Sequence, residues 1–144
     1  MQHFPSLFYK NIEGGKCPEI ELTACADIDP ARLNWVKENV AHPVALFATA
    51  EEMLDSGTVD AIIVAVPHYQ HPEYAIKSME RGIPVMIEKP AGVYTKQVRE
   101  MIAVADKTNV PLGIMMNQRT NCIYRKMREI VQSGEWVPSA EPTG

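Results

Sequence analysis

The sequence predicts an α/β fold built on a doubly wound parallel sheet. Three features of the chain point to it. Short apolar runs alternate with segments of helical periodicity along most of its length. The strongest run, residues 61–66, is apolar without alternation, as expected of a strand covered by helices on both faces. Prolines open the helical segments and glycines close them, as at Pro30, Pro72, Gly82 and Gly134.

The elements follow in order. A first strand covers residues 20–26, weakly alternating and ending at Asp27. Asp29 suits an N-cap and Pro30 the first helical position, and Leu33, Val36 and Val40 then recur at helical spacing beside Trp35. Residues 44–47 form a second strand. Thr49 caps a short helix whose Glu51 and Glu52 favour its N-terminal dipole, and Gly57 ends it. After the strand at 61–66, Pro72 starts a helix that carries Ala75, Ile76 and Met79 and stops at Gly82. The strand at 85–87 runs into Glu88-Lys89-Pro90. Thr95 is expected to cap the next helix, with Val98, Met101, Ile102 and Ala105 on one face. Pro111 introduces a strand over residues 112–116. The last helix spans residues 123–132, with Met127, Ile130 and Val131 inward and Gly134 terminating it. Residues 136–144 hold two prolines and little apolar content, and read as an irregular tail.

The 144 residues are enough for one domain with a single core. The chain is 46% hydrophobic and 22% charged, with a net charge of −4 and no basic block, so nucleic-acid binding has no electrostatic footprint. No apolar stretch approaches the ~20 residues of a membrane span, and the first five residues do not have the form of a secretory signal. Cys17, Cys25 and Cys122 are odd in number and unpaired in spacing, which suits neither a disulfide framework nor a zinc site and points to a reducing cytoplasm.

In such a sheet the chemistry gathers just past the carboxyl ends of the strands. Four places qualify. Asp27 stands where an acidic residue accepts hydrogen bonds from the adenine ribose of a dinucleotide, and its charge would repel a 2′-phosphate; the plain alternative is a solvated turn acid beside Asp29. Pro67-His68-Tyr69-Gln70-His71 is a polar loop after the strongest strand, and a His68/His71 metal pair lacks a third ligand nearby. Glu88-Lys89-Pro90 places a lysine at a strand exit, with Pro90 fixing its own φ and restricting Lys89; a solvated lysine or a structural Glu–Lys pair is the bland reading. Asn117-Gln118-Arg119 closes the last strand, where Arg119 suits a phosphate, a carboxylate or a surface ion pair.

The order and spacing of these places, together with Ala26-Asp27-Ile28-Asp29-Pro30 and the segment from Arg81-Gly82 to Glu88-Lys89-Pro90, resemble the glucose–fructose oxidoreductase and inositol dehydrogenase family (Gfo/Idh/MocA) over about residues 3 to 135. The resemblance implies a Rossmann-like fold that binds a nicotinamide dinucleotide and transfers hydride between the nicotinamide and a sugar, polyol or related hydroxyl substrate; Asp27 alone argues for NAD over NADP. It implies Asp27 and Ile28 at the adenine ribose, Pro67, His71 and Pro90 in the dinucleotide cleft, and Glu88 at the nicotinamide ribose. Lys89 would touch nicotinamide and substrate and move the hydroxyl proton, with Asn117 and Arg119 bordering the nicotinamide side. Family members commonly self-associate.

The chain also departs from the family pattern. That pattern begins with a strand and a glycine-rich turn, whereas Gln2 to Tyr9 reads as the helix after such a turn and Gly14-Gly15 as a later turn. Without that central strand, the strands at 20 and 61 lose a shared partner; each then exposes its edge or pairs with the other. The α+β substrate domain is not expected either. The expected division is an incomplete dinucleotide-binding domain over residues 1–119 and a linking helix with an irregular tail over 120–144, a fragment inactive alone. A non-catalytic nucleotide- or partner-binding module is the alternative.

Overall fold

The computed structural model describes residues 10–134. The helix expected over residues 2–9 and the tail over 136–144 lie outside that range. The contacts divide the chain between Ile114 and Met115 into two compact units, whereas the sequence reading sets its boundary after Arg119.

In the first unit, residues 10–13 are helical and end at the expected Gly14-Gly15 turn. Gly15 adopts a left-handed φ of 68°, and a Cβ at Gly14 would lie 2.6 Å from the Lys10 carbonyl oxygen, so both positions call for glycine. Strand β1 (Ala24–Ala26) pairs in parallel with β2 (Ala45–Phe47), Cys25 lying opposite Leu46. Helix α1 (Pro30–Asn39) crosses between them and buries Val36. Its cap is Asp29, whose carboxylate accepts the Ala31 N–H at 3.0 Å, with Pro30 in the first turn as expected. Helix α2 (Ala50–Asp55) is capped by Thr49, whose hydroxyl accepts the Glu52 N–H at 3.2 Å. The Thr23 hydroxyl donates to the Thr58 carbonyl at 2.8 Å, tying the approach to β1 to the segment after α2.

The second sheet has the order β3-β4-β5, from β3 (Ile62–Val64), β4 (Val85–Glu88) and β5 (Leu112–Met115). β3 and β4 run parallel with Ile62, Ile63 and Val64 opposite Val85, Met86 and Ile87. A 3-10 turn (His68–Gln70) leads into α3 (His71–Met79), and α4 (Thr95–Thr108) follows β4. The core gathers Leu54, Ile62, Val64, Ala75, Met79, Val85, Ile87 and Met101, so α3 and α4 seal one face of this sheet.

The second unit holds a 3-10 turn (Asn117–Thr120) and α5 (Cys122–Ser133), capped by Asn121, whose side chain accepts the Ile123 N–H at 2.9 Å. No helix among the described residues is long and apolar enough to cross a membrane.

Several local expectations need correction. Thr95 is the first residue of α4 rather than its cap; Tyr94 takes the cap position without a side-chain bond, so the first turn is left to other partners. Ile63 and Met86 are 42% and 43% exposed, because the pleat turns them away from α3 and α4 and no described element seals that face. Ile102 is 47% exposed while its neighbour Met101 is buried, so the buried stripe of α4 is narrower than its apolar pattern. Met127 and Val131 are exposed, not inward, and Ile130 alone of the three is half-buried. For β1 and β3, by contrast, the first of the two expected alternatives is seen: among the described residues they belong to separate sheets, each with an edge that no described strand covers.

Met79, fully buried beneath β3 and β4, tests the core. Met79→Ala is expected to lower unfolding stability by about 2–5 kcal/mol, read as an earlier midpoint in urea denaturation at unchanged slope.

Candidate functional site

The exit of β4 is built from a buried carboxylate and an exposed amine. Glu88, the last residue of the strand, is 6% exposed, and its Oε2 accepts the Lys89 N–H at 3.1 Å. Its Oε1 is buried and has no hydrogen-bond partner among the described residues. A buried acceptor without a donor is costly, so this oxygen is available to a ligand hydroxyl. Lys89 stands exposed next to it, and its ammonium forms no ion pair with any described carboxylate. The structural Glu–Lys pair considered from sequence is therefore not formed. The Lys89–Pro90 peptide is cis.

The exit of β3 lies at the same edge because the two strands run parallel. Pro67 is exposed, and His68 is exposed with its ring 5.6 Å from that of His71. His71 is fully buried. One ring nitrogen, Nε2, lies 2.9 Å from the Val66 carbonyl oxygen, and the other, Nδ1, lies 2.7 Å from that of Pro90. Each nitrogen thus faces a carbonyl oxygen of the chain, a neutral ring donating to one of the two at a time, and no three-ligand metal cluster occurs among the described residues. The imidazole lies between the backbones of the two strand exits.

The exit of β1 carries Asp27 and Ile28. Asp27 continues the pairing through its N–H to the Phe47 carbonyl at 3.2 Å, and its Oδ1 accepts the Asp29 N–H at 2.9 Å. Its Oδ2 lies 3.4 Å from Nη1 of Arg32, whose Nε is 3.7 Å from Asp29. Ile28 is 87% exposed at the tip of the turn. Arg32 escaped the sequence reading, although its place one turn inside a helix capped beside Asp27 was a usable signal. Cys25, two residues before Asp27, has its thiol pushed up from the ordinary value, first by burial and then by the Asp27 charge.

The second unit presents Asn117 and Arg119 on its exposed 3-10 turn. Arg119, Tyr124, Arg125 and Arg128 line an open groove of about 560 Å³. No ion pair forms at Arg119 among the described residues, so the surface-pair alternative is not realised there. The sequence reading missed Tyr124, Arg125 and Arg128; their spacing on α5 was the available sign.

The model of the oxidoreductase family, NAD-binding Rossmann fold (GFO_IDH_MocA), matches residues 7–116. The chain belongs to this family. Inositol 2-dehydrogenase 1 of Paenarthrobacter aurescens is 33% identical to this Gfo/Idh/MocA chain over 119 residues, which cover 80% of the chain and 34% of that protein. The crystal structure of myo-inositol 2-dehydrogenase from Lactobacillus plantarum matches with a TM-score of 0.74 and 30% identity, over 81% of this chain and 34% of that one. Scyllo-inositol dehydrogenase from Lactobacillus casei, solved with bound NAD(H) and scyllo-inositol, gives a TM-score of 0.83 over 94% of this chain and 40% of that one. At 20% identity that likeness speaks for the fold alone. The Gfo/Idh/MocA chain spans about a third of the length of the curated relatives it matches.

The electrostatics at the β1 exit can be read from thiol chemistry. Cys25 is expected to alkylate more slowly than the exposed Cys122 at about pH 8, because only the thiolate reacts. Asp27→Asn removes the charge beside Cys25 and is expected to speed its modification while leaving Cys122 unchanged, as followed by mass spectrometry.

Proposed function

We propose that this chain is the cofactor-binding portion of an NAD-dependent oxidoreductase that moves hydride between nicotinamide and the carbinol carbon of a sugar, polyol or related hydroxyl substrate. The observation that carries the reading is the β4 exit, where the unpartnered buried oxygen of Glu88 stands beside the exposed Lys89 in a chain of this family. Glu88 Oε1 is an acceptor for the nicotinamide ribose hydroxyl. The nicotinamide, when bound, supplies the hydride acceptor or donor. Lys89 orients the substrate hydroxyl; its neutral amine takes the hydroxyl proton during oxidation, and the ammonium so formed returns a proton during reduction. Pro67 and Pro90 shape the backbone walls of the cleft.

Asp27 and Ile28 are proposed for the adenine end. The Asp27 carboxylate accepts from the ribose hydroxyls, and Ile28 offers an exposed apolar surface beside them. A 2′-phosphate would meet the Asp27 charge, and Arg32, the nearest cation, is already shared between Asp27 and Asp29. NAD is therefore preferred over NADP. The uncovered edges of β1 and β3 support a further reading, that an inner parallel strand with a glycine-rich turn belongs between them and carries the pyrophosphate.

Calorimetric titration tests this reading. The chain is expected to bind NAD more tightly than NADP. Asp27→Ala is expected to weaken NAD about tenfold or more, the loss of a charge-assisted bond, and to narrow the gap to NADP as Arg32 is released. Equal affinity for both dinucleotides, or indifference to Asp27→Ala, would sink the assignment. Sustained turnover of inositol by these 144 residues alone would contradict their reading as only the cofactor portion.

A further inference from the structure

Two consecutive residues hold the segment that carries Lys89. The ring of His71 engages the Pro90 carbonyl at 2.7 Å on one side and the Val66 carbonyl at 2.9 Å on the other. The ring of Pro72, in the first turn of α3 and buried, lies against the backbone of Gly92. A Cβ at Gly92 would sit 2.8 Å from Pro72 Cγ and 3.0 Å from Val98 Cγ2, distances that leave no room for one. The chain from Lys89 to Gly92 is thus held at Pro90 by a polar bridge and at Gly92 by close packing.

We propose that His71 and Pro72 are positioning residues for the Lys89 amine, a role that rests on the reading of the β4 exit as the nicotinamide end of the cleft. Lys89 itself is exposed and has no ion pair among the described residues, so none of them fixes where its ammonium points. Its direction is inherited from its backbone. The His71 bridge ties that backbone to the exit of β3, and the Pro72–Gly92 contact keeps the following loop down on α3. Displacing a reacting group by about 1 Å can cost on the order of a hundredfold in rate, so a backbone clasp under an otherwise unrestrained lysine has a functional effect. His71 itself is fully buried, with a carbonyl oxygen beside each ring nitrogen.

Two variants disturb the clasp at different points. His71→Gln presents a single amide nitrogen, which can reach only one of the two carbonyls, and an acceptor oxygen in place of the second ring nitrogen. Gly92→Ala leaves the imidazole in place and pushes the loop off Pro72. Each is compared with the unsubstituted chain by calorimetric binding of NAD and of ADP-ribose, which lacks the nicotinamide. Both variants are expected to weaken NAD about fivefold to tenfold and to change ADP-ribose by less than twofold. A role limited to general stability lowers both ligands together; that result, or no loss for either, overturns the proposal. Amide hydrogen exchange supplies a measurement independent of any ligand. Faster exchange confined to Lys89, Ala91 and Gly92 supports the clasp, and unchanged or chain-wide exchange overturns it. If the unsubstituted chain binds neither ligand, the cofactor reading fails and the exchange result decides the clasp.

Discussion

The parallel pairing of β3 with β4 is the constraint on which the candidate site depends. Its register sets Val64 beside Ile87, so both strands leave the sheet at the same edge. One imidazole can therefore span the Val66 and Pro90 carbonyls. A slip of one residue would turn Ile62 and Val64 away from Met79 and Met101 and reverse the faces of the whole strand. The apolar core beneath the sheet thus fixes the register, and the register brings the polar exits together.

Burial of polar groups at this edge separates two roles. His71 and Glu88 are both nearly or fully withdrawn from water, and an unbonded polar atom there costs free energy. His71 has a carbonyl oxygen beside each nitrogen, so its one ring N–H finds an acceptor within the chain whichever nitrogen carries it. Glu88 has one oxygen engaged by its neighbour's N–H and one left over. A satisfied buried group explains itself by the structure it holds. The leftover oxygen of Glu88 does not, and in the proposed reading a ligand hydroxyl completes it. The same test separates residues that sequence alone groups together as one cleft.

What was legible in the sequence obeyed local rules. The caps at Asp29 and Thr49 and the left-handed glycines at 57, 82 and 134 are each decided within a few residues, and the alternation of strand and helix follows from periodicity. The burial of His71 was not legible, because its partner Pro90 is nineteen positions away along the chain. The exposure of Ile63 and Met86 was hidden for a related reason: an apolar run shows that a strand is suited to burial on both faces, not which faces the described elements cover. Met127 and Val131 repeat the point on a helix, where an apolar stripe marks a face without supplying what packs on it. At Thr95 a good cap residue sits one position inside the helix that begins there, and Tyr94 takes the cap position without a side-chain bond.

The turn after β1, the adenine end in the proposed reading, shows how an exposed ion pair could influence selection while adding little to stability. Arg32 and Asp27 are solvent-accessible, so their attraction at 3.4 Å contributes a kilocalorie at most, roughly, to folding. In the proposed reading its consequence for binding is larger, because a ligand phosphate would compete for the same guanidinium and meet the same carboxylate. With Asp29 as a second acceptor at 3.7 Å, Arg32 is held by two negative charges. A 2′-phosphate would have to displace both, whereas ribose hydroxyls can donate to Asp27 and leave the arginine where it is. In the proposed reading, preference for NAD is therefore a property of the trio Asp27, Asp29 and Arg32. The acid at the strand end supplies the acceptor, and the helix cap that follows it keeps the nearby cation occupied.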